Sequence, residues 1–121
     1  MLRGIDLSIE QGERVALMGP SGSGKSTLLN CICGIETVDQ GTIRVGAQDL
    51  SGLQPRDLEK VRREQVGYIF QSFHLLPTLN AFENVEFSAQ LAGMSKNDRS
   101  SRVEELMDRV GMSHRLNHFP D

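Results

Sequence analysis

The sequence predicts an α/β fold, on three adjacent observations. Arg14-Val15-Ala16-Leu17-Met18 is a nearly continuous apolar run of strand length, the pattern of a strand buried on both faces of a parallel sheet. A glycine-rich segment follows at once: Gly19-Pro20-Ser21-Gly22-Ser23-Gly24-Lys25-Ser26-Thr27. From Lys25 through Cys33, helix formers with apolar Leu28, Leu29 and Ile32 predict a helix that Gly34 is placed to stop.

The other elements follow in chain order. Ile5-Asp6-Leu7-Ser8-Ile9-Glu10 alternates apolar and polar, which suits a strand with one wet face. Gln11-Gly12-Glu13 then supplies a turn, so that the stretch reads as an antiparallel β hairpin arm leading into the strand at 14–18. Gly41-Thr42-Ile43-Arg44-Val45-Gly46 reads as a short alternating strand, and Pro55 through Gln65 as a polar helix with proline in its first turn. Arg62 and Arg63 read as a solvated face. Val66-Gly67-Tyr68-Ile69-Phe70 is a second buried-type strand, ending on Gln71, and the loop after it carries Phe73, Leu75 and Leu76. Asn80-Ala81-Phe82-Glu83 has the Asn-x-x-Glu form of a capping box and opens a helix that Gly93 can close. Ser95 caps a last helix in which Val103, Leu106, Met107 and Val110 recur at spacings of three and four.

Composition bounds the function. At 121 residues the chain has room for one small domain or part of a larger one, and its apolar fraction of 38% falls in periodic blocks, so a packed core is expected. Net charge is −3 with the basic residues spread along the chain, which offers neither a stripe for nucleic acid nor a polybasic membrane patch. No apolar run is of membrane-spanning length and no signal-peptide pattern follows Met1, so a cytoplasmic chain is expected. Cys31 and Cys33 stand two apart on a helix and point to different faces, which disfavours a disulfide or a metal pair and predicts two buried thiols.

The glycine segment carries the chemistry. Backbone N–H groups hold a triphosphate only where the chain wraps closely around it, which calls for glycine at 19, 22 and 24 and a helix N-terminus beneath. Lys25 adds a point charge for the β- and γ-phosphates, Ser26 can place its hydroxyl on Mg²⁺, and Thr27 can donate to an inner phosphate. The segment is a P-loop, and it sits between strand and helix as that mechanism requires. Asp49-Leu50-Ser51-Gly52 matches the Asp-x-x-Gly of GTPases, but no apolar strand precedes it and the chain holds no Asn-Lys-x-Asp. A small-molecule kinase would leave the segment around Gln71 unexplained.

Leu7-Ser8-Ile9-Glu10-Gln11-Gly12-Glu13, the P-loop, Gly41-Thr42-Ile43 and Val66-Gly67-Tyr68-Ile69-Phe70-Gln71 together resemble the nucleotide-binding domains of ABC transporters. Ala47-Gln48-Asp49-Leu50-Ser51 and the run from Gln71 to Leu79 are most similar to the macrolide-exporter and lipoprotein-releasing group, although His74 stands where that group more often has asparagine. The resemblance implies ATP and Mg²⁺ as cofactors. Gly19 to Thr27 would hold the nucleotide, Ser26 and Gln71 would reach the metal, and Lys25 and Gln71 would serve catalysis, Gln71 as the Q-loop glutamine that also reaches the attacking water. It implies a RecA-like core part over residues 1–71 and part of a helical subdomain over 72–121. Expected partners are a transmembrane permease, separate or fused, and a second nucleotide-binding domain bound head to tail. The chain would then lie on the inner face of the cell membrane through its partner.

The family's LSGGQ signature, Walker B strand with its catalytic glutamate, and switch histidine do not occur in the sequence. Leu50-Ser51-Gly52-Leu53-Gln54 imitates the signature, but it precedes Gln71 and has leucine where backbone must approach a phosphate, so it reads as a loop. The expectation is therefore an N-terminal portion of the domain, truncated at both ends, that binds ATP better than it hydrolyses it. The aromatic residue that family members stack on adenine is also absent, at a cost of about 1–3 kcal/mol of binding if base stacking elsewhere is a guide. The other readings are a soluble ABC-type ATPase of DNA repair or translation and a non-catalytic nucleotide-binding module. His74, His114 and His118 read as surface or partly packed residues.

Overall fold

A computed structural model describes residues 2–120. The elements in chain order are α1 (Lys25–Ile32), β1 (Arg44–Val45), β2 (Gln48–Asp49), α2 (Pro55–Gln65), α3 (Ala81–Leu91) and α4 (Lys96–Arg109), followed by a 3-10 turn at Ser113–Arg115. The chain divides into two units, one running to Tyr68 and the other starting at Ile69.

In the first unit a small core of Leu50, Leu58 and Val61 is flanked by Ile43, Val45 and Leu53, so the hairpin and one face of α2 close on each other. β1 and β2 pair antiparallel, Arg44 opposite Asp49 and Val45 opposite Gln48. Below the hairpin, Asp49 accepts a hydrogen bond from the Ser51 N–H (2.8 Å), and the Ser51 hydroxyl accepts one from the Ile43 N–H (3.1 Å). That Ser51 contact holds the Asp49 carboxyl below its ordinary value, with a smaller contribution from Arg44. α1 ends in a Schellman motif: Gly34 donates to the Cys31 carbonyl (3.0 Å) and Ile35 to the Asn30 carbonyl (2.8 Å). Gly34 has φ 67, a backbone conformation that favours glycine, and a Cβ there would lie 3.2 Å from a Leu58 methyl, which would have to give way by a few tenths of an ångström. Cys31 and Cys33 are free and buried, as expected.

The second unit is a helical pair. α3 opens with the full capping box: Asn80 Oδ1 accepts from the Glu83 N–H (2.9 Å) and Glu83 Oε2 from the Asn80 N–H (2.8 Å). The next N–H groups of α3, those of Ala81 and Phe82, donate to the carbonyls of His118 and Leu116 at 2.8 and 2.9 Å. Ser95 caps α4 through the Asp98 N–H (3.3 Å). α4 turns Val103 and Met107 inward, Val103 being fully buried, whereas Val110 is exposed against expectation because it follows the last turn as the C-cap.

Several predicted strands are not strands here. Residues 5–10, 14–18 and 66–70 carry no ladder, and the antiparallel pairing among the described residues is β1 with β2, not the hairpin arm expected around residues 11–13. The turn between the first two segments does form, with the Glu13 N–H donating to the Glu10 carbonyl (3.0 Å). Alternation and apolar content select a strand's faces, but only a neighbour's N–H and C=O groups make it a strand. No described segment supplies them, and Ile5, Leu7, Ile9, Val15, Leu17 and Met18 are exposed instead. The predicted strand over 41–46 shortens to Arg44–Val45.

Candidate functional site: a glycine loop on a helix N-terminus

Residues 19–24 wrap the N-terminus of α1. Gly22 and Gly24 stand at φ 78 and φ 91, in the left-handed region that other residues enter only with strain, and Gly24 is the N-cap. Being glycine, the cap offers no side-chain oxygen to the first N–H groups of α1, and no acidic side chain stands in the first turn. A helix N-terminus of this kind presents N–H groups and a partial positive charge to an anion. At Gly19 a Cβ would lie 2.9 Å from Ser23 Oγ, so the first glycine keeps the loop's opening free of a clash. The loop is braced by the Ser23 N–H donating to the Pro20 carbonyl (3.3 Å).

Lys25 folds back over this loop. Its Nζ donates to the carbonyls of Gly19 (2.8 Å) and Pro20 (2.7 Å) and to Ser23 Oγ (3.3 Å). All three donors of the ammonium thus have acceptors from the segment whose amides would meet phosphate, and the positive charge is held at the loop by geometry. Ser26, one residue on, is exposed and offers a hard oxygen. That donor suits Mg²⁺, which takes one or two protein oxygens and completes its shell with phosphates and water. No cluster of three or more His, Cys, Asp or Glu able to hold a metal occurs among the described residues.

Gln71, the remaining site residue expected from the sequence, belongs to the second unit, where it is exposed in a turn at residues 71–72. The backbone just beyond it is strained: Phe73 and His74 have φ 38 and φ 53, and the His74 N–H donates to the Ser72 carbonyl. His74 also lies against Phe70, with ring centroids 4.3 Å apart. The loop's apolar residues are exposed as expected, Phe73 by 84% of its surface.

Other features fall outside the glycine loop. The signature-like run 50–54 is the connection from β2 to α2, with Leu50 in the core and Gln54 as N-cap, which agrees with its reading as a loop. A cleft of about 410 Å³ is lined by Val38, Ile43, Leu50, Leu53 and Leu58 among others, and none of residues 19–27 lines it. Three polar side chains whose structural roles the sequence did not reveal hold the fold together. Asn84 accepts from the Leu76 N–H (2.8 Å) and donates to the carbonyls of Leu76, Leu79 and Asn80, which fixes the approach to α3. Asn30 bridges Tyr68 and Glu36. Arg62, expected on a solvated face, instead donates to the Gly34 carbonyl (2.5 Å) at the C-terminus of α1, where a cation is favoured.

Residues 2–121 match the family model described as ABC transporter. The chain belongs to the ABC transporter family. Among curated relatives it is 42% identical over its whole length to an uncharacterized ABC transporter ATP-binding protein, YknY, of Bacillus subtilis, covering 53% of that protein. It is 43% identical over 99% of its length to the lipoprotein-releasing system ATP-binding protein LolD of Saccharophagus degradans, again covering 53%. Identity to the macrolide export ATP-binding/permease protein MacB of Marinobacter nauticus is 46% over 99% of the chain and 19% of that longer protein. The chain thus spans about half the length of the first two relatives. Among solved structures it resembles the dimeric ATP-binding cassette MJ0796 in a post-hydrolysis state bound to ADP and Pi, with TM-score 0.85 and 37% identity over 94% of this chain and 51% of that one. The α/β class and the resemblance to the lipoprotein-releasing and macrolide-exporting group are borne out by these matches.

Proposed function

We propose that the chain is the phosphate-gripping part of an ATP-binding cassette whose full-length form couples ATP binding and hydrolysis to export, or to extraction of a lipoprotein, peptide or macrolide, by a membrane partner. The observation that carries this reading is the loop itself: left-handed glycines at 22 and 24, an uncapped helix N-terminus, and Lys25 held at its mouth.

In this reading the amides of residues 22–27 and the dipole of α1 bind the β- and γ-phosphates, and Lys25 neutralises charge that grows on them during transfer. Ser26 would hold Mg²⁺ through its hydroxyl, and Gln71 would offer it a second protein oxygen and orient the attacking water. Bound Mg²⁺ supplies electrostatic stabilisation of the phosphate oxygens. Catalysis also needs the metal held from another side and a group that positions water, each contributing orders of magnitude in rate. The 121 residues offer no signature, Walker B carboxylate or switch histidine, so the chain by itself binds ATP and turns it over negligibly. A permease, separate or fused, and a second cassette bound head to tail complete the machine at the inner face of the membrane.

Calorimetric titration with MgATP, beside a phosphate-release assay, tests this. Saturable binding that Lys25→Ala abolishes while the thermal transition is kept, with turnover near background, is the expected result. Robust hydrolysis by the 121-residue chain, or binding indifferent to Lys25, refutes it.

A further inference from the structure

At the end of α1 remote from the glycine loop, where Arg62 meets the Gly34 carbonyl, the Asn30 side chain adds a second tie. Asn30 accepts from the Tyr68 hydroxyl at Oδ1 (3.1 Å) and donates from Nδ2 to Glu36 Oε1 (2.7 Å). Its carbonyl also accepts from the N–H groups of Ile35 (2.8 Å) and Glu36 (3.2 Å). α1 has 8 residues, and Asn30 stands five positions after Lys25, roughly 7–8 Å along the axis. A two-turn helix of that length moves as a rod. The loop expected to grip phosphate is one end of the rod, and the Asn30 bridge is the other.

We propose that Asn30 is a positioning residue that couples occupancy of the glycine loop to the Tyr68 hydrogen bond, so that nucleotide bound at one end of α1 is felt at Tyr68 at the other. The proposal rests on the reading of residues 19–27 as a nucleotide site. Phosphate drawn onto the first-turn amides displaces α1 as a body, and the groups that resist are those fastened to its far end. Tyr68 and Asn30 are both partly buried, so their bond is not freely exchanged for water. Such coupling is reciprocal: if nucleotide shifts the Tyr68 bond, loss of the bond shifts nucleotide affinity by the same factor.

The chain contains a single tyrosine, so the tyrosine ring resonance in an NMR spectrum reports Tyr68 alone. The experiment follows that resonance in the 121-residue chain during MgATP titration and measures the calorimetric Kd of the unaltered chain, Tyr68→Phe, Asn30→Ala and the double variant. Binding is read well below each variant's Tm, so that loss of fold does not pass for loss of affinity. In the unaltered chain the resonance should titrate with the calorimetric Kd. Tyr68→Phe, which removes one oxygen and keeps the ring, should weaken ATP binding by about two- to tenfold, the range open to one net hydrogen bond. The double variant should bind no more weakly than Asn30→Ala alone. A Tyr68→Phe Kd within experimental error of the unaltered chain, whatever its Tm does, overturns the coupling, as does a Tyr68 resonance that ignores saturating ATP. Absence of binding in the unaltered chain, or binding that survives Lys25→Ala, fells the nucleotide reading itself and the coupling with it.

Discussion

Gly34 shows at one residue how the helix beneath the loop is kept short. Its left-handed φ closes the Schellman motif, and a Cβ would meet Leu58 in the core. Gly34→Ala should cost about 1–2 kcal/mol in backbone strain alone, lowering Tm by roughly 5–15 °C in a thermal melt, with additional loss if Leu58 cannot yield. The thiols make a pH prediction. Burial raises Cys31 above its ordinary value of 9.0, with Glu36 adding to the shift. Burial alone raises Cys33. A raised folded-state value means that the unfolded chain gives up its protons first as pH climbs. The thiols' contribution is therefore complete below pH 9.0 and is lost as pH rises through the folded values. Melts at increasing alkalinity should show Tm falling over that window, and Cys31→Ser with Cys33→Ser should flatten the fall. The glycine stop and the burial of both cysteines were legible from the sequence. Asn30 and Arg62 were not, because a polar residue on a helix carries no mark of a partner found far along the chain.

At the scale of elements, helices were read well and strands poorly, and the reason is physical. The ends of α2, α3 and α4 are set by residues within one turn of them: Pro55, the Asn80–Glu83 box, and Ser95 with Asp98. Asn80→Ala should cost about 0.5–2 kcal/mol, seen in the helical circular dichroism signal on heating. Met107, buried on the inner face of α4, should matter more: Met107→Ala is expected to destabilise the second unit by about 2–5 kcal/mol in urea titration. Strands 5–10, 14–18 and 66–70 depend on neighbours distant in sequence, so their periodicity told which residues would share a face and not whether a ladder would form. The glycine positions and the helix they cap were legible, since both are local to the segment, whereas the strand expected before them was not. A site role for Gln71 was open only to resemblance, since nothing within a few residues of it points to one.

Across the whole molecule the unpaired segments carry a liability. Ile69 is 98% exposed, and Leu7, Ile9 and Met18 are exposed beside backbone with no ladder partner among the described residues. Apolar, unpaired backbone is a template for association. Light scattering should show concentration-dependent self-association of the 121-residue chain, and Ile69→Lys with Leu7→Lys should reduce it. Association unchanged by both lysines would place its cause elsewhere.

The posture of Lys25 has a practical corollary for handling the protein. The chain has three lysines, Lys25, Lys60 and Lys96. Lys60 and Lys96 stand exposed on α2 and α4, whereas the Lys25 amine is engaged with two carbonyls and a hydroxyl. Acylating reagents need a free amine lone pair, so among the lysines they should label the two helical ones before Lys25. A sample dye-tagged through its lysines under mild conditions is therefore expected to keep Lys25 and the glycine loop unmodified.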